Sequence, residues 1–125
     1  MLELRIQQHF IDSADLKYQA AQALSQPIAM GVQAILASVT SGGKVLACGS
    51  GVSASQAQTF AALCVTGFER ERPELAAMAL GSEGGLLGGS AGTALGSQYL
   101  ARQVRALGQA GDLLLVISVN GNEQS

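Results

Sequence analysis

Gly49, Ser50, Gly51, Val52, Ser53 and Ala54 form the segment whose residue types and spacing come closest to a chemical site. Gly49, Gly51 and Ala54 fit the GxGxxA variant of the dinucleotide fingerprint, in which glycines let a pyrophosphate approach the N-terminus of a helix. The acid such a site needs for the ribose would be Glu83, near the end of the next apolar run. The same residues also suit a plain tight turn between a strand and a helix, where Gly and Ser are favoured for backbone reasons alone. On pattern both readings stand. Cys48 and Cys64 fall on different predicted elements without a CxxC, and His9 is the single histidine, so no metal site and no disulfide framework is expected. Two buried, reduced thiols are expected instead.

The elements that must position this turn draw on 125 residues, 48% hydrophobic and 13% charged, which suffices for one compact domain or part of one. A net charge of -2, with seven Lys and Arg scattered along the chain, supplies no basic footprint for direct nucleic-acid binding. The first residues show no basic segment leading into an unbroken apolar run. No stretch of about 18 apolar residues runs free of glycine or polar interruption, so a cytoplasmic protein without a membrane span is expected.

Leu2, Ile6, Phe10, Leu16, Ala20, Ala23 and Leu24 trace the apolar stripe of a first helix. Ser25 is a candidate N-cap with Pro27 near the first helical position, and Ile28, Val32, Ile35, Leu36 and Val39 continue as a second helix that stops at Ser41, Gly42 and Gly43. Strands are predicted at Lys44 to Cys48, Leu75 to Leu80 and Asp112 to Ser118, with helices over Ala54 to Val65 and Gln98 to Leu107. The mixed charges from Phe68 to Pro73 read as a solvated loop. The glycine-rich stretch from Gly81 to Gly96 reads as a mobile loop, because each glycine costs a helix about 1 kcal/mol relative to alanine. Continuous apolar strands alternating with helices imply an α/β fold with a doubly wound parallel sheet. Ligands of such sheets bind beyond the carboxyl ends of the strands, at Gly49 to Ser53, Gly81 to Gly96 and Val119 to Ser125.

Several blocks together resemble the SIS (sugar isomerase) domain family, in its group of phosphoheptose isomerases and DnaA initiator-associating proteins. They are Lys44 to Ser53, Ala57 to Ala61, Phe68 to Pro73, Arg102 to Gly108 and Gly111 to Ser118, in order and at matching spacing. The resemblance implies a flavodoxin-like strand order, 2-1-3-4-5, with strands 4 and 5 missing from this chain, which looks like the N-terminal two-thirds of a family member. It implies a single incomplete domain over 1-125, with a helical oligomerisation segment at 1-40 and a βαβαβ core at 44-118. Homo-oligomers, dimers or tetramers, that bind a sugar phosphate between subunits are implied as well, with no cofactor.

Carried onto this chain, the vestigial sugar-phosphate site comprises Ser50, Gly51, Ser53, Ser118, Asn120 and Asn122. Ser50 and Val52 stand where the family usually has Asn and Gly, and Glu123 sets a negative charge where the phosphate would lie, a repulsion that grows as water is excluded. The family's catalytic glutamate matches Leu63, and an aspartate that contacts the sugar matches Thr93. The catalytic histidine belongs to a C-terminal helix that this chain does not contain; His9 matches no family site. No catalytic residue is therefore expected. The block Ala57, Gln58, Thr59, Phe60, Ala61, Ala62 fits the DnaA-associating relatives better. The leading expectation is a non-catalytic oligomeric scaffold that regulates replication initiation, with DnaA as partner. The alternative is an isomerase converting sedoheptulose 7-phosphate to D-glycero-D-manno-heptose 7-phosphate, or another sugar-phosphate-binding SIS protein.

Overall fold

The structure, a computed structural model, describes residues 1–81 and 98–121. Most of the glycine-rich stretch, with Glu83 and Thr93, and the end of the last loop, with Asn122 and Glu123, lie outside the described residues. The described chain forms two compact units, Met1–Ala34 and Ile35–Ser125.

One helix, α1 (Leu2–Thr40), replaces the two expected ahead of the sheet. The break expected at Ser25 and Pro27 does not occur. Proline has a φ compatible with the helix, so its cost is a missing N–H and a clash with the preceding turn, about 3 kcal/mol, rather than an obligatory stop. Ser25 does not cap a new helix; its hydroxyl donates back to the Ala21 carbonyl one turn earlier. Joining the two segments also changes the membrane expectation. As a single element, α1 is long and apolar enough to cross a bilayer by length and composition.

The second unit is built on a three-stranded parallel sheet in the order β2-β1-β3, with β1 at Val45–Gly49, β2 at Ala77–Ala79 and β3 at Leu113–Ile117. This is the α/β class and strand order expected. Val45, Leu46, Ala47 and Cys48 are all buried, as a central parallel strand covered on both faces requires. Alternation sends Leu46 and Cys48 to one face, where they cluster with Leu80 and with Leu100 and Val104 of α3 (Tyr99–Leu107).

Against the opposite face lies α2 (Val52–Thr66), which packs on all three strands. Its buried residues, Ser53, Ala57, Ala61 and Cys64, recur at helical spacing, and their small size lets the helix lie close to the sheet. The charged stretch after α2 is more than a solvated loop. The Arg72 guanidinium donates to the Leu63 carbonyl at 2.7 Å and to the Cys64 carbonyl at 2.8 Å, adding to the Gly67 and Leu75 amides that these carbonyls of the last helical turn also accept.

Candidate functional site

Strands β1 and β3 are tied at their amino ends and open at their carboxyl ends. At the amino end, Asp112 accepts from the Lys44 ammonium at 2.6 Å, the Lys44 amide at 3.0 Å and the Gln109 amide at 2.8 Å. The Lys44 hydrogen bond, followed by that of Gln109, holds the Asp112 carboxyl below the usual carboxylate range. Beside it the Ser38 hydroxyl donates to the Gly111 carbonyl at 2.6 Å, and the Gly43 amide to the Ser38 carbonyl at 2.8 Å.

At the carboxyl end, Gly49 leads into the turn that starts α2. The N-cap, Gly51, has φ 60° and ψ -128°, a conformation that a side chain would strain. The turn closes on itself, with the Ser53 and Ala54 amides donating to the Ser50 and Gly51 carbonyls, each at 3.1 Å. Two of the amides at the helix N-terminus are thus engaged within the turn.

A cavity of about 130 Å³ opens beyond these strand ends. Cys48, Gly49 and Ser50 line it from β1 and its turn, and Val116, Ile117, Ser118 and Gly121 from β3 and its loop, with Leu100 closing the side. In the order β2-β1-β3 the chain moves outward in opposite directions from β1, so the cavity occupies the switch point where α/β sheets bind ligands. Ser118 is fixed by the Gly121 amide, which donates to its hydroxyl oxygen at 2.8 Å.

Of the residues assigned to a site from sequence, Ser50 and Ser118 therefore meet at one cavity. Gly51 shapes the turn and Asn120 is exposed on the third loop, neither lining the cavity, and Asn122 lies outside the described residues. Ser53 is fully buried beneath the turn, part of the contact between α2 and the sheet. Gly121 falls in the loop from Val119 to Ser125 expected to bind a ligand, whereas Cys48, Leu100, Val116 and Ile117 were not singled out as lining residues. The signal for Cys48 was its place immediately before Gly49. Leu100 comes from a helix remote in sequence and left no local trace.

The described lining is neutral. Two hydroxyls and backbone groups can hold oxygen atoms of a polar ligand, but among the described residues none in the lining carries a carboxylate, imidazole or ammonium to move a proton at pH 7. Burial pushes the Cys48 thiol above its ordinary range, away from the reactive thiolate. Helix α2, which starts just after the turn, contains no Asp, Glu or His, and its partly exposed Leu63 is an inert side chain. Among the described residues no group of three His, Cys, Asp or Glu side chains gathers to hold a metal.

The family model for the SIS domain matches residues 8–125. The chain belongs to the SIS domain family. A phosphoheptose isomerase of Methylibium petroleiphilum is 58% identical over 98% of this chain and 61% of its own length. A DnaA initiator-associating protein of Pectobacterium carotovorum is 45% identical over 96% of this chain and 61% of its length. Among solved structures, phosphoheptose isomerase GmhA from Neisseria gonorrhoeae superposes with a TM-score of 0.82 at 38% identity, over 98% of this SIS chain and 63% of the other. The SIS chain thus spans about three-fifths of the length of the curated relatives it matches.

Proposed function

We propose that the protein binds a phosphorylated sugar in the manner of the phosphoheptose isomerases, with the cavity between the carboxyl ends of β1 and β3 as this chain's share of the site. The observation that carries the reading is the convergence of Ser50 and Ser118 on one cavity at the switch point of the sheet. The similarity to a phosphoheptose isomerase at 58% identity supports it, against 45% for the DnaA-associating relative. This reverses the order of the two expectations drawn from sequence. Hydroxyls and an oriented helix N-terminus suit phosphate oxygens. Sedoheptulose 7-phosphate titrated into the protein should bind, and Ser118→Ala should weaken binding by about tenfold, the scale of one lost hydrogen bond to a charged group. Absence of binding by the parent would sink the proposal.

Turnover is a separate matter. Moving a proton between adjacent sugar carbons requires a base, and the described part of this cavity offers none. Isomerisation, if the protein performs it, draws its base from elsewhere in the protein. That lack is the specific observation favouring the second reading, a non-catalytic scaffold that engages DnaA.

Both readings use an oligomer. Along α1, Leu2 and Phe10 are more than 70% exposed and Ile28 and Met30 more than 60%. We assign these apolar residues to contacts between copies of the chain, which also accounts for the hydropathy of α1 without a bilayer and keeps the cytoplasmic expectation. Replacing Ile6 and Phe10 together with Lys should dissociate the oligomer, as read by light scattering. An unchanged assembly would remove α1 from that role.

A further inference from the structure

We infer that Gly49 is a positioning residue that sets the width of the cavity between β1 and β3, an inference that rests on the sugar-phosphate reading above. A Cβ built at Gly49 would lie 2.7 Å from the Ser53 Cβ, 2.8 Å from the Ser53 carbonyl carbon and 2.8 Å from the Ile117 carbonyl oxygen. None of these atoms is the far end of a flexible side chain. Two belong to backbone and the third is the stem of a fully buried residue, so a methyl group at position 49 must push the first turn of α2 away from β1 or push β3 aside.

Both displaced elements carry the cavity. The turn from Ser50 to Ser53 is closed by its own hydrogen bond, so it moves as a unit and takes Ser50 with it. Ile117 directly precedes Ser118, and its register partner across the sheet is Gly49 itself. Whichever element yields, the separation of the Ser50 and Ser118 hydroxyls changes. Glycine at position 49 holds the two at the spacing of a ligand rather than merely allowing a turn, and its φ is not in the left-handed region where glycine is needed for conformation alone.

The control is built into the same strand pair. A Cβ at Gly43, just before the amino end of β1, would meet the Gly111 carbonyl oxygen at 2.5 Å and the Ser38 Oγ at 2.7 Å, a comparable clash at the end of the strand pair opposite the cavity. Cys48 is buried and borders both this cavity and a second one beside Val104 and Leu114, so its reaction with a thiol reagent reports a change in access at the β1–β3 pair without any ligand, and the comparison with Gly43→Ala assigns that change to position 49.

In a Cys64→Ala background, the rate of Cys48 modification by dithionitrobenzoate should rise at least tenfold in Gly49→Ala. It should stay within about twofold in Gly43→Ala at a temperature where both are folded, although both lose stability. Equal rates in the two variants, or an unchanged rate in Gly49→Ala, would overturn the inference. If Gly49→Ala fails to fold, the double variant Gly49→Ala, Ser53→Gly removes the one side-chain clash. It should fold with a raised Cys48 rate, and its failure to fold would show a purely structural glycine. Sedoheptulose 7-phosphate affinity, measured in parallel, should fall only in Gly49→Ala. A parent that binds no sugar phosphate defeats the proposed function, while the thiol rates still decide the geometry.

Discussion

The two ends of the β1–β3 pair are built from similar materials to opposite purposes. At the amino end a carboxylate, an ammonium, a hydroxyl and several amides consume one another's hydrogen-bonding capacity, with Asp112, Lys44, Gln109 and Ser38 all engaged. At the carboxyl end a pair of serines faces a cavity, and Ser50 remains exposed there. Each end also has one glycine with no room for a methyl group, Gly43 and Gly49. The difference teaches that polarity alone does not mark a site. Hydrogen-bonding groups whose partners are supplied within the fold stabilise it, and those left facing a cavity are available to a ligand.

The comparison breaks first at Gly43. Gly43→Ala must displace Gly111 or Ser38, and overpacking of this kind costs about 1–3 kcal/mol, read from urea denaturation. Ligand affinity should be unaffected while the protein is folded. A stability change near zero would mean that the amino end is not the anchor described.

Acid sharpens the same contrast. Because Asp112 has a folded pKa below its unfolded value of about 3.9, its contribution is fully present above that value and is lost as pH falls through the depressed folded pKa. The parent should therefore show an acid limb to which Asp112 contributes. Asp112→Asn should be less stable at neutral pH and lose part of that limb in thermal melts recorded below about pH 4. A parallel pH profile for parent and variant would remove the carboxylate from the account.

The smallest effect on stability belongs to the carboxyl end. Ser50 is exposed and lines the cavity, so Ser50→Ala should change stability by no more than about 0.5 kcal/mol while weakening sugar-phosphate binding. A substantial loss of stability with affinity intact would assign Ser50 to the fold instead.

Much of this architecture was legible in the chain itself. The apolar runs at Val45 to Cys48 and Leu113 to Ile117, and the glycines around Ser50, located two strands and the turn; β1 is buried on both faces as its uninterrupted run implies, whereas β3 leaves Leu114 and Val116 exposed on one face. The resemblance of ordered sequence blocks located the family. What escaped the sequence depended on groups brought together from a distance. The pattern around Pro27 predicts a boundary, yet the helix runs through it, since the penalty of one proline is small beside the continuity of the rest of α1. Arg72 sat in a stretch that pattern assigns to solvent, and only the fold places it beneath the Leu63 and Cys64 carbonyls. Ser50 and Ser53 are alike by type and close in sequence. The helical start at Val52 turns one outward to the cavity and the other into the contact with the sheet, where Gly49 has no room for a side chain. Sequence determined which elements form, through burial and local backbone preference. Tertiary structure decided which polar groups are used up in holding them together, because a hydrogen bond is satisfied by whatever atom the fold brings within reach.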